Sequence, residues 1–410
     1  MDERIHIKRF DNGLVLLVEH MPDVRSAALT ILTPAGGAND PADRIGTATV
    51  LAELTLRGAG NRSSRELSEH LDQLGLQRAM SVNVFHTRYS AAGVADKVLA
   101  GLSSYADILR RPNLEESEFV PARELSMQSL SALDDDPRSQ AMIELRKQHW
   151  PDPLGRNPMG QLDTLEALNV DTVRSEHARR FVPEGTIISI AGFVDVKEVE
   201  SRVTELFADW KGRAPVTRIG PTPKPTLIND EKPAEQMHIT IAWPSVPESD
   251  PSYYAARLAC ELLGGASSSR LFTEVREKRG LCYSVGVSYA SLKDRASLLG
   301  YAGTTVDRAQ QTLDQFIHEV RRLAEGIEGG ELHRARVGLK SATIMSAEST
   351  GARAAMNAGD YYIFGRARSI SEVAKALDSV TLPQINEFVR AQKPSDFTIV
   401  NIGPRSLTLS

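Results

Sequence analysis

The sequence predicts an α+β protein of two homologous domains, each a mostly antiparallel sheet with helices packed on it, joined by a linker. Three observations carry this. At 410 residues the chain exceeds what one hydrophobic core ordinarily serves. Displaced by 205 residues, half its length, "GNRSSRELSEHLDQLGL" (60–76) lies without a gap over "GASSSRLFTEVREKRGL" (265–281). Gly60, Ser63, Ser64, Arg65, Glu69, Gly75 and Leu76 recur there as Gly265, Ser268, Ser269, Arg270, Glu274, Gly280 and Leu281, where chance gives about one match. After each copy comes an alternating, strand-type stretch, "MSVNVFHTRYSAAGV" or "YSVGVSYASLKDRASLLGYAG", and then a helical pattern, "VLAGLSSYADILR" or "AQQTLDQFIHEVRRL". So long a period means a duplicated domain, not a solenoid.

The first half opens on "IHIKRF", a turn at Asp11-Asn12-Gly13 and "LVLLVEH", a hairpin signal. Next, "IGTATVLAELTLRGAG" (45–60) places apolar and small residues at Ala48, Leu51, Ala52 and Thr55, with Gly58 as the stop of the predicted helix. Thr49, Ala52 and Glu53 share one face of it, since positions i, i+3 and i+4 fall on neighbouring turns. The half closes near "VESRVTELFADWKG", giving a first domain over 1–212. Residues 213–232 hold four prolines and no apolar periodicity and read as the linker; 233–410 form the second domain, beginning with "QMHITIAWPSV".

In "DPSYYAARLACELLGGASSSRLFTEVREKRGLCYSVGVSY" (250–289), Asp250 and Pro251 read as cap and first-turn residues. Tyr254, Leu258 and Leu262 form a helical stripe that ends at Gly264-Gly265. A second helix is expected from about Ser268 to Lys278, a stop at Gly280, and a strand from about Tyr283. Arg276 thus leaves a helix end as Tyr283 enters a strand, and the turn between can bring together two hydrogen-bond donors suited to a peptide carbonyl or its oxyanion. On spacing alone the plainer reading is favoured: a solvated helix-end charge and a half-buried strand residue.

Composition excludes several classes. Hydrophobic residues at 41% and charged residues at 25% suit a globular protein, and no stretch approaches the roughly 18 consecutive apolar residues of a membrane helix. A net charge of -5 offers no basic footprint for nucleic acid. The start, "MDERIHIKRF", has no apolar signal core, which points to the cytoplasm, or to the periplasm if a signal has been removed. Cys260 and Cys282, the only cysteines, read as small buried residues. The nine histidines contain no local two-histidine metal motif. "LLGGASSSR" lacks the spacing and preceding strand of a phosphate loop.

Taken together, "NGLVLLVEH", "PAGGANDPADRIGTATVLAELTLRGAG", "DDDPRSQAMIELRKQHWPDPLGRNPMGQLDTLEAL", "FVPEGTIISIAGFVDVKEVESRVTELFADW" and "LLGGASSSRLFTEVREKRGLCYSVG" resemble the pitrilysin or insulinase family of zinc peptidases, in particular the short bacterial members similar to the mitochondrial processing peptidase. The resemblance runs nearly end to end and implies half of a clamshell. Active members carry His-x-x-Glu-His on the helix after the glycines, two zinc ligands and a general base. This sequence has Thr49, Ala52 and Glu53 there, and the family's further glutamate ligand falls near Ser129. The resemblance therefore implies no zinc in this chain. It also implies that Arg276 and Tyr283 match the family's arginine and tyrosine, which act on substrate held at a zinc bound by the other half.

The arrangement implied is a heterodimer with a homologous zinc-bearing subunit, acting on an extended peptide bound by strand addition. Gly264, Gly265, Ala266 and Ser267 would let backbone approach that peptide, or simply stop a helix. Alternatives are a non-catalytic core or assembly protein of the same fold, and an accessory presenting a dedicated precursor peptide.

Overall fold

Gly13 starts the first sheet. At φ +89° it takes the left-handed backbone a tight turn demands, Leu14 N–H donates to Asn12 Oδ1 at 3.1 Å, and β1 (Ile5–Arg9) pairs antiparallel with β2 (Val15–His20). The structure, a computed structural model, describes residues 5–409. The first half continues through β3 (Ser26–Thr33), α1 (Thr47–Thr55), the short hairpin β4 (Gly58–Ala59) and β5 (Arg62–Ser63), α2 (Ser64–Gln73), β6 (Gln77–Val82), β7 (Thr87–Val94), α3 (Ala95–Arg110), α4 (Glu116–Ser131), α5 (Pro137–His149), α6 (Leu162–Glu166), α7 (Val170–Arg180), β8 (Ile187–Gly192) and α8 (Val196–Phe207).

The second half adds β9 (Leu227–Glu231), β10 (Gln236–Ser245), α9 (Tyr253–Cys260), β11 (Ser284–Leu292), β12 (Arg295–Thr305), α10 (Ala309–Arg322), α11 (Gly329–Ala347), α12 (Thr350–Phe364), α13 (Ile370–Ser379), α14 (Leu382–Gln392) and β13 (Thr398–Gly403). The sheets run β1-β2-β8-β3-β7-β6 and β11-β12-β10-β13-β9. β2–β8 and β9–β13 pair parallel and the other neighbours antiparallel, so the second sheet repeats the first without β1. Gly75 and Gly280, matched in the repeat, both turn the chain at positive φ, +64° and +59°.

β9 corrects the expected linker of 213–232. Residues 213–226, where the prolines lie, form no element, but the proline-free "LINDE" that follows pairs with β13. The compact units also differ from the continuous stretches 1–212 and 233–410. One unit comprises residues up to Ala132, Asp152–Gly220 and Ser346–Ala367; the other comprises Leu133–Pro151, Pro221–Met345 and the residues from Arg368. Each half thus gives a helix to the other's unit. α5 buries Ala141 and Leu145 with Ala242, Leu299, Val400 and Ile402 of the second sheet. α12 lays Ala354 beside Ala28 and Ala191, and Ala358 beside Val15, Leu17 and Ile187, of the first.

The opposite face of each sheet carries the main core, including Leu16, Leu29, Leu51, Leu54 and Leu102 in one unit and Ile239, Ile241, Leu263, Leu313 and Phe316 in the other. Each such leucine contributes about 1.5–3 kcal/mol. Among the described residues no helix is long and apolar enough to cross a membrane.

Candidate functional site

In the first unit the place to inspect is α1. Its N-terminus is firmly mounted: Gly46, at φ +100°, precedes the helix, and the Asp40 carboxylate accepts from Gly46 N at 2.8 Å and Ala48 N at 3.1 Å. An anion there complements the helix dipole. Arg180 Nη1 donates to Asp40 at 2.6 Å, both side chains being fully buried, and Arg180 also pairs with Glu176.

The chemistry this mount presents does not fit a zinc ion. Thr49 Oγ1 donates to Pro158 O at 2.6 Å, and Ala52 is fully buried with no donor atom. Glu53 pairs with Arg57 at 3.0 Å, and Arg57 also reaches Glu118 at 3.4 Å. Ser129, exposed on α4, turns its hydroxyl back to Leu125 O at 2.9 Å. The lone carboxylate of the set is already neutralised, where zinc needs three protein ligands. Among the described residues no group of three or more His, Cys, Asp and Glu side chains could hold a metal.

The second unit holds Arg276 and Tyr283. The chain arrives through α9, which begins at Tyr253 with Ser252 at its N-cap; Asp250 and Pro251 therefore belong to the preceding turn and not to the helix's first turn, Asp250 Oδ1 accepting from Ser252 N at 2.7 Å. A π-helical turn, Glu261–Gly265, carries α9 on to the expected stop at Gly264-Gly265, and a second, Phe272–Glu277, makes up most of the expected helix over Ser268–Lys278. Such wide turns recur at functional sites. A Cβ on Gly264 would lie 2.6 Å from Val287 N, so the first turn packs directly on the β11 backbone. A Cβ on Gly265 would meet Glu261 Oε2 at 2.2 Å. Both glycines thus serve approaches within the chain itself, while Ala266 and Ser267 are exposed.

Arg276, on the second π turn, is exposed, with its guanidinium 4.6 Å above the Phe272 ring. Tyr283 comes just before β11, its N–H donating to Gly303 O at 3.1 Å, and its side chain is 45% exposed. Its hydroxyl donates to Gln236 Oε1 and lies beside that of Tyr301 over Gly303. Arg276 and Tyr283 share this unit without a direct contact among the described residues. Cys260 and Cys282 are buried, and burial pushes their thiols up to about 12 and about 11, so both stay protonated at neutral pH.

Sequence reasoning missed Gln236, His238, Tyr301 and Arg138, which surround Tyr283's hydroxyl at first or second remove. Alternation along β10 and β12 marks a common face, but register between strands some sixty residues apart carries no local signal.

Fold and site together define a duplicated α+β chain with a helix that offers no metal-ligand set in one unit and an exposed arginine and tyrosine in the other. Residues 15–160 match the family model described as Insulinase (Peptidase family M16), and residues 167–339 match Peptidase M16 inactive domain. The chain belongs to the pitrilysin/insulinase peptidase family and lacks its zinc motif. An uncharacterized zinc protease of Bacillus subtilis is 26% identical over 408 residues, covering 97% of this chain and 98% of that protein. One of Rickettsia bellii is 25% identical over 415 residues, covering all of both. A Pseudomonas fluorescens crystal structure described as a peptidase M16 inactive domain superposes with TM-score 0.89 at 19% identity, covering 99% of this chain and 100% of that one. A protease from Helicobacter pylori gives 0.90 at 18%, covering 98% and 99%; these two likenesses establish fold.

Proposed function

We propose that this chain is the zinc-free subunit of a heterodimeric zinc endopeptidase, with Arg276 and Tyr283 acting in trans on peptide held by a homologous partner that carries His-x-x-Glu-His. One asymmetry carries the reading. The α1 mount is retained around Asp40 and Arg180 while Thr49, Ala52, Glu53 and Ser129 offer no ligand set, yet Arg276 and Tyr283 remain exposed in the second unit.

In this reading the metal chemistry belongs to the partner, and this chain binds and orients. Arg276 clamps a backbone carbonyl of the extended substrate, and Tyr283 donates its O–H to the oxygen on which negative charge develops. Ala266 and Ser267 border the peptide's path. The core or assembly alternative gives no role to two exposed donors placed in this way.

The test is reconstitution. Mixed with a homologous chain bearing His-x-x-Glu-His, this protein is expected to yield chelator-sensitive cleavage of an unstructured peptide that neither chain shows alone. Assembly without cleavage would favour the scaffold alternative.

A further inference from the structure

Tyr283 ends a line of polar side chains that runs back across the second sheet. His238 Nδ1 lies 3.0 Å from the Tyr301 hydroxyl, the Tyr301 and Tyr283 hydroxyls converge over Gly303, and Tyr283 donates to Gln236 Oε1. Strand register brings these groups together. β10 sets His238 opposite Gly303 and Thr240 opposite Tyr301, and β11 sets Ser284 opposite Gly303. The two phenols meet over Gly303, where a Cβ would lie 2.6 Å from the Tyr283 hydroxyl oxygen and 2.8 Å from that of Tyr301. Only glycine leaves that room. Tyr301 itself is 7% exposed, with the Arg138 guanidinium of α5 4.4 Å over its ring.

The acceptor at the end sets the direction of the line. An amide oxygen can only accept, so Tyr283 gives its proton to Gln236 and its oxygen is open to the Tyr301 O–H. With the Tyr301 O–H turned toward Tyr283, its oxygen is left to accept from His238 in the Nδ1–H tautomer. Each donation polarises the next O–H outward. Burial also holds the Tyr301 hydroxyl well above the ordinary tyrosine range, keeping it a neutral donor.

Resting on the role proposed for Tyr283, we propose that Tyr301 and His238 are positioning residues for it, that Gly303 keeps the space in which the two hydroxyls meet, and that Gln236 occupies the acceptor place a substrate carbonyl oxygen takes over. Tyr301 fixes the phenol oxygen and strengthens it as a donor; His238 fixes Tyr301. Neither touches substrate.

Tyr301→Phe keeps the ring under Arg138 and removes one hydroxyl. In the reconstituted pair it is expected to lower kcat about 10-fold, the scale of one hydrogen bond, with KM little changed. In a Tyr283→Phe background the same change is expected to cost less than about 2-fold, because nothing remains to be positioned. A structural role would cost the same in both backgrounds, and that result overturns the proposal.

A second readout needs no partner. In the isolated chain with ring-labelled tyrosines, the signal assigned to Tyr283 by its loss in Tyr283→Phe is expected to shift in Tyr301→Phe, His238→Ala and Gly303→Ala. An unmoved Tyr283 signal in all three overturns the positioning network. If instead the signal moves while Tyr283→Phe leaves turnover of the pair intact, the network stands as structure and the functional reading of Tyr283 falls.

Discussion

Glu19 and Arg353, 334 residues apart in the chain, form a buried bidentate ion pair with contacts of 2.7 and 3.0 Å, and Asn357 Nδ2 adds a third donor to the same carboxylate at 2.7 Å. The pair pins α12 to β2 and so ties a second-half helix into the first unit. A buried pair adds little over apolar packing, but removing one partner strands a charge. Arg353→Ala and Glu19→Ala are each expected to cost about 3–5 kcal/mol in denaturant unfolding. A loss below about 1 kcal/mol, typical of exposed pairs, would show that the pair does not hold α12.

The purified chain is expected to bind no stoichiometric zinc, since Thr49 and Ser129 spend their hydroxyls on carbonyls, Ala52 has no donor atom and Glu53 is paired with Arg57. Metal analysis decides it. About one zinc per chain, removed by chelator together with peptidase activity, would refute the zinc-free reading.

Acid should loosen the second unit. His149, on α5, lies 2.7 Å from Ser297 Oγ and 3.1 Å from Thr398 Oγ1, and burial lowers it from its ordinary 6.5 to about 4. The unfolded chain therefore takes up this proton first as pH falls. Stability is unaffected by His149 above about 6.5 and declines from there toward pH 4. His177, in the first unit, is also lowered by burial and weakens that unit as pH falls below about 6.5. Chemical denaturation across that range should show the decline, and His149→Gln should flatten part of it; an identical slope in the variant would remove His149 as a cause.

Cys260 and Cys282 are expected to alkylate orders of magnitude more slowly in the folded chain at pH 8 than after denaturation, because burial keeps both thiols protonated. Equal rates in the two states would contradict that burial.

The duplication, the α1 helix and the placing of Arg276 on a helical turn and Tyr283 at the start of a strand were legible because each rests on local pattern: a gapless repeat, a 3.6-residue period, a glycine stop. The exchange of α5 and α12 was not. Ala141 and Leu145 signal a buried helix face without naming the sheet that covers it, and Ala354 and Ala358 do the same. The π turn at Glu261–Gly265 sets Gly264 against Val287 of β11, a tertiary contact that carries no local signal. The line from His238 to Tyr283 depends on strand register, which alternation alone leaves undetermined.

The kinetics of the reconstituted pair carrying Tyr283→Phe test the central claim most directly. The substitution removes one hydroxyl and little volume from a side chain that is 45% exposed, so assembly should survive. Turnover should fall by about 10²- to 10³-fold, the cost of losing one donor to a developing oxyanion, and Arg276→Ala should weaken peptide binding as well as turnover. If both variants assemble and cleave at the wild-type rate, Arg276 and Tyr283 do not act in trans and the account is contradicted.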